Sequence, residues 1–187
     1  SSPGPRVWTR DEMYRLADLG FFRGQRAERI GGQIVVQSPQ NWRHAVSTDR
    51  AGEVLRAAFG PGFWVRTQLP LELGLDSDPE PDVSVIAGRR EDFTDHPRTA
   101  VLVVEVADSS LGYDRTDKAS LYAAAGVADY WVVDVAGRTV EVFRDPRPDG
   151  AQPFGAGYAS VTAFGPGDAV TPLAGPGGSV PVAELLP

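Results

Sequence analysis

Ala100-Val101-Leu102-Val103-Val104-Glu105-Val106-Ala107 is an almost unbroken apolar run with a single carboxylate inside it. A strand that is apolar at successive positions is one covered on both faces, as in the middle of a sheet. Glu105 is therefore the strongest local anomaly of the chain. A buried carboxylate is costly unless it is paired, hydrogen-bonded or bound to a metal. The bland alternative is a strand-end residue that reaches solvent or partners a buried Arg.

Working outward, residues 114–125 read as a helix closed by Gly126. Residues 129–134 and 138–144 read as strands around the turn Val135-Ala136-Gly137. Upstream, residues 82–86 read as a strand entered from the polar loop 76–81, and residues 63–67 and 69–73 as strand pieces divided at Pro70. A longer helix is expected from Ser38-Pro39, with Pro at its first position and His44, Thr48, Ala51, Leu55 and Ala58 along one face; Gly60-Pro61-Gly62 ends it. Further out, Thr9 and Glu12 have capping-box spacing for a helix over 9–19, and residues 26–37 read as a hairpin around Gly31-Gly32. Beyond Pro146 the chain is rich in Gly and Pro, with a strand at 158–164, a loop at 166–178 and a small closing element at 180–186. This order implies an α/β fold: one domain over residues 1–187, with 1–8 as a tail, in which a mixed sheet is flanked by helices.

Composition narrows the function. The chain has 187 residues, 42% of them hydrophobic, no cysteine, and 25 acidic against 18 basic residues for a net charge of −7. That charge argues against a protein that coats nucleic acid through bulk attraction. It leaves room for an enzyme with one local basic face, and it suits a carboxylate-lined site for a divalent cation. Thiolate metal sites and a Cys nucleophile are excluded. With no apolar stretch of transmembrane length and no signal-peptide plan in the first residues, a cytoplasmic protein is expected. Seventeen of the 18 basic residues are Arg, and the one Lys is Lys118. Only Lys of the two can shift its pKa enough to move a proton.

Three residues make a specific proposal. Asp82 follows Pro81 at the mouth of the strand 82–86. Glu105 lies in the central strand. Lys118 precedes Leu121, Tyr122 and Ala125 by three, four and seven residues, so it sits on the apolar face of its helix, turned to the sheet, with Asp114 on the same face. Snorkelling past the core edge, or simple pairing with Asp114, is the other reading of Lys118. Two carboxylates on adjacent strands can hold one Mg²⁺ or Mn²⁺, which takes oxygen ligands and keeps several waters. Such a site suits attack of water on a phosphodiester, with Lys118 as base or charge stabiliser. His44 can ligate metal, contact phosphate or make a buried hydrogen bond. Glu28, alternating with apolar residues on its strand, is a further acidic group for the site or a surface residue. Arg89, Arg90, Arg98 and Arg115 fall in expected loops, as phosphate contacts or as ordinary solvated charges. No phosphate-cradling Gly-rich loop, His-rich zinc pattern or Gly-x-Ser-x-Gly elbow is present. Tyr130 and Trp131 read as packing residues.

With these residues in view, a family resemblance is visible. Ser38-Pro39 through His44, Glu80-Pro81-Asp82-Val83, Val103-Val104-Glu105-Val106, Tyr113-Asp114 with Lys118 and Tyr122, and Gly126 through Asp134 resemble the Uma family of restriction-endonuclease-like proteins, within the PD-(D/E)xK superfamily. The resemblance covers roughly residues 9–186. It implies a restriction-endonuclease-like core of helix, three strands, helix and strand, with metal at the strand ends. Asp82 and Glu105 match the family's acidic metal ligands, joined by the main-chain carbonyl of Val106. Ala107 stands where the superfamily pattern has Lys, and Lys118 matches the place to which this family moves it. Glu28 is kept from the family's hairpin motif, whereas its later acidic positions read Gly31-Gly32-Gln33 here. The expected function is Mg²⁺-dependent endonuclease action on DNA. A homodimer is expected too, because cutting both strands of a duplex needs two sites. The rivals are a catalytically inactive binding or interaction protein on the same fold, and a phosphodiesterase acting on RNA or nucleotides.

Overall fold

A computed structural model describes residues 2–187; Ser1, the first residue of the expected tail, lies outside the described residues. The central run forms strand β5 (Leu102–Ala107) in a six-stranded sheet. Its companions are β3 (Phe63–Thr67), β4 (Val83–Ala87), β6 (Asp129–Asp134), β7 (Thr139–Pro148) and β8 (Ala156–Phe164), in the order β3-β4-β5-β6-β7-β8. Only the β5–β6 pair is parallel; the other ladders are antiparallel. The expected mixed sheet is present, and the central strand is buried on both faces.

The two faces carry separate cores because side chains alternate along a strand. Leu102, Val104 and Val106 meet Ala51, Leu55 and Phe59 of helix α2 (Trp42–Phe59), closed off by Leu185 and Leu186. Val103 and Ala107 point the other way, into a core with Tyr130, Val132, Leu121 and Tyr122. Glu105 shares this second face. Trp131 and Tyr130 are fully buried, one in each core, as packing residues.

Helix α1 (Arg10–Asp18) has the expected capping box between Thr9 and Glu12, yet buries none of its residues. The hairpin of β1 (Arg26–Ile30) and β2 (Gln33–Gln37) forms its own two-stranded sheet. It is tied to the loop after β3, where Asp78 N–H donates to the Arg29 carbonyl at 2.6 Å and its carboxylate takes both Arg29 and Arg10. At the C-terminal end, the two-residue strands β9 (Ala169–Val170) and β10 (Val180–Pro181) form a small extra ladder.

Three expectations need correction. Helix α2 starts at Trp42, capped by the Asn41 side chain on the His44 N–H, and Pro39 lies outside it. The Asn cap satisfies an orphan amide, which Pro at the first position would merely lack. Residues 69–73 form no strand. Gln68 adopts a positive φ of 51°, Pro70 has no N–H, and Leu71 and Leu73 turn their amides to Pro79 and Ser77 within their own loop. Finally, the single helix expected over 114–125 is composite: α3 (Leu111–Tyr113), a π-helical turn over Asp114–Lys118, and α4 (Ala119–Ala124). Arg115 therefore sits on a helix, not in a loop.

Candidate active site

The ladder between β4 and β5 stops at Val83 opposite Val104. Asp82 would come next, and Pro81 beyond it has no N–H to continue the ladder. The strands part there, and Asp82 fills the gap. Its Oδ2 accepts the Val106 N–H at 2.8 Å, and its own N–H donates to Glu105 Oε2 at 3.3 Å. The Val106 carbonyl lies on the same strand edge as its N–H, since both main-chain groups of an extended residue point one way. Ala107 turns its carbonyl to the opposite edge, where it accepts from Val135 at 3.0 Å.

Lys118 reaches this point from the π-helical turn. Its Nζ donates to Glu28 Oε1 at 2.8 Å and Glu105 Oε1 at 3.1 Å. A π turn shifts the register of a helix and recurs at functional sites; here it carries both Asp114 and Lys118 into the interior. Ala107 leaves no long side chain beside Glu105, and Lys118 from the helix supplies the ammonium instead. The Tyr122 hydroxyl donates to Glu105 Oε1 at 2.7 Å. Glu28 is fully buried, with Glu80 N–H donating to Oε1 at 2.6 Å and Gln37 to Oε2 at 2.7 Å. It is not a surface residue. His44, on the first turns of α2, places Nε2 at 3.3 Å from Asp82 Oδ2.

Asp82, Glu105, Lys118, His44 and Glu28, with Val106, thus line one cleft of about 230 Å³. Arg89, Arg90, Arg98 and Arg115 do not line it. Arg115 instead makes a two-pronged pair with Glu141 at 2.7 Å, Arg89 lies near Asp92 and Arg98 near Glu72. Sequence reading left three contributors unassigned. Asp114 lines the cleft, with Ser110 donating to its Oδ2 at 2.5 Å; its spacing from Lys118 was the available signal. Arg26, two residues before Glu28 on the same strand face, brings Nη1 to 3.7 Å from Asp82 Oδ1. Tyr122 was visible as an apolar-face neighbour of Lys118 and in the family resemblance, without a role.

The charges explain what the cleft can hold. Burial opposes the charged form of Lys118, but Glu105 and Glu28 more than offset it and hold Lys118 firmly as ammonium. Burial would also raise Asp82; hydrogen bonds and charge from His44, the Val106 N–H and Arg26 bring it below its ordinary value. The imidazole of His44 is moved up by Asp82 against the effect of burial. Glu105 is pushed well above the carboxylate range by burial, with Asp82, Asp114 and Glu28 adding to the rise against Lys118. Asp114 is pushed up to about 6, again chiefly by burial. Four carboxyl groups thus crowd around one ammonium, one imidazole and the Arg26 guanidinium, and such a set of acidic oxygens suits a hard cation. Among the described residues, no three His, Cys, Asp or Glu side chains form a metal cage by themselves. Zinc sites need three or four such ligands, whereas Mg²⁺ accepts one or two carboxylates with waters. Asp82 and Glu105 fit the second pattern.

The Uma2 family model, described as "Putative restriction endonuclease", matches residues 10–183. The chain belongs to this family. A solved structure described as a "putative nuclease belonging to DUF820" from Anabaena variabilis ATCC 29413 is similar in fold, with a TM-score of 0.68 at 17% identity over 95% of this chain and 96% of that one. No curated protein matches the chain. The Uma2 core and the expected restriction-endonuclease-like fold therefore agree, and no helix of this Uma2 protein is long and apolar enough to cross a membrane.

Proposed function

We propose that this protein is a Mg²⁺-dependent endonuclease that hydrolyses phosphodiester bonds in DNA. One observation carries the reading: Asp82 and Glu105 meet where β4 and β5 part, with the Lys118 ammonium within 3.1 Å of Glu105. In this reading Asp82, Glu105 and the Val106 carbonyl would hold Mg²⁺ or Mn²⁺. The bound ion supplies Lewis-acid polarisation of a phosphoryl oxygen and a more acidic water. Lys118, kept charged by Glu28 and Glu105, stabilises developing negative charge; its protonation supports this role over that of a base. Tyr122 and Glu28 hold Glu105 and Lys118 in place, and His44 neutralises Asp82 at the rim. Two copies would supply the two cuts of a duplex.

The test pairs binding with turnover. Mg²⁺ or Mn²⁺ should raise the Tm of the wild type, by about 2.7 kcal/mol of stability at a hundredfold excess over Kd. Asp82→Ala and Glu105→Ala should lose that rise together with metal-dependent nicking of a supercoiled plasmid. A wild-type protein that neither gains stability nor cuts DNA with either ion would overturn the proposal. Ala107, where the superfamily carries Lys, and the net charge of −7 favour a second reading, a catalytically inactive binding or interaction protein on the same fold. Metal-dependent stabilisation without cleavage of DNA, RNA or nucleotide diesters would select it.

A further inference from the structure

Arg66 lies on edge strand β3, on the same sheet face as Asp82, because it pairs directly with Ser84 and Ser84 follows Asp82 by two. It is 98% buried (relative exposure 2%), yet among the described residues no carboxylate lies within ion-pair distance of it. Its Nη1 donates to the Pro70 carbonyl at 2.9 Å, and its Nη2 lies 3.2 Å from His96 Nδ1. Its Nε has no partner, nor has the buried Oγ of Ser84 opposite. The guanidinium stacks 4.7 Å from the centre of the Trp64 ring. Burial alone pulls its pKa down, and no acid opposes the pull.

A buried cation without a counterion is costly, and orphaned buried donors call for a ligand. The surroundings can supply a site. Arg66, Arg90 and His96 line one open hollow of about 590 Å³ beside Trp64 and Phe93. Arg90 is exposed and, among the described residues, has no ion-pair partner. A guanidinium can only donate, so His96 Nδ1 is the acceptor in this contact and Nε2 carries the ring N–H. The hollow thus gathers two guanidinium groups and an imidazole N–H against one carboxylate, the exposed Asp95.

We propose that Arg66, Arg90 and His96 form an oxyanion-binding subsite, separate from the Asp82–Glu105 cleft, that takes a phosphate group. Planar guanidinium groups match phosphate geometry through paired N–H donors. The phosphate is free in solution or part of a nucleic-acid strand, and the experiment separates the two sources.

Inorganic phosphate is titrated into the full chain at constant ionic strength with EDTA present, which leaves the proposed metal chemistry out of the readout. The Nε–H resonance of Arg66, assigned by its loss in Arg66→Lys, should shift saturably. Arg90→Ala and His96→Gln, both outside the core, should each weaken binding roughly tenfold, as loss of a charge-assisted hydrogen bond does. Asp95→Asn should tighten it. A short DNA duplex that displaces phosphate from Arg66 identifies a strand phosphate as the ligand; a duplex that leaves the titration unchanged identifies free phosphate. An Arg66 resonance that does not move, or equal affinity in the wild type and the Arg90 and His96 variants, overturns the proposal.

Discussion

Lys118 is a structural ion-pair partner of Glu28 and Glu105 and, under the proposed function, a charge for the reaction, and substitution must separate the two. Breaking a buried pair by removing one partner leaves an uncompensated charge and costs about 3–5 kcal/mol. Lys118→Ala is therefore expected to lower stability by about 3 kcal/mol as well as to abolish cleavage. Lys118→Met combined with Glu28→Gln removes charges of both signs, so it should recover most of that stability in urea denaturation without recovering cleavage. A double variant that cuts DNA would remove Lys118 from the chemistry. Asp114 gives a pH signature. Its carboxyl is raised from 3.8 to about 6 in the folded protein, so between those values the folded state binds more protons than the unfolded one. Stability from this group is present below the lower value and is lost as pH rises through the upper one. In EDTA, Asp114→Asn should flatten that decline and add up to about 3 kcal/mol at pH 7. Identical pH–stability curves for variant and wild type would contradict it.

Among the elements, the hairpin and α1 meet at one carboxylate. Asp78 accepts from Arg29 Nε at 2.7 Å and from Arg10 Nη2 at 2.6 Å. Asp78→Ala should cost about 3 kcal/mol, since it strands the buried Arg29. It should also loosen the hairpin that carries Glu28, lowering cleavage more than it lowers metal binding; unchanged stability would show that Arg29 finds another partner. Element boundaries were legible where local chemistry decides them, as in the Thr9–Glu12 capping box and the Gly31-Gly32 turn. They were misread where a distant contact decides. Leu71 and Leu73 have strand-forming sequence, but Pro70 and the bonds to Pro79 and Ser77 fold them into a loop. The π turn at Asp114–Lys118 leaves no local signature, because tertiary pairing of Lys118 with Glu28 and Glu105 is what rewards it.

For the whole molecule, burial sets a gradient of local stability. Strand β5 is buried at every residue and sits between two cores, whereas α1 buries none. Native-state hydrogen exchange should find the slowest amides in β5 and β6 and the fastest helical ones in α1. Protection in α1 equal to that of β5 would mean that α1 is covered in solution by another surface. Buried carboxyl groups crowd the site between elements from distant parts of the chain, so bound cation should add global stability as well as competence for cleavage.

The sequence by itself determined the sheet and its central strand, the alternation that places Glu105 on one face, and the nomination of Asp82, Glu105 and Lys118, because periodicity and an isolated charge are local properties. Only the tertiary structure decided that Glu28 is buried on Lys118, that Lys118 stays protonated, that Asp114 lines the cleft, and that Tyr122 and Arg26 contact its carboxylates from outside. Those outcomes depend on burial and on charges brought together from distant positions, and no local pattern encodes either.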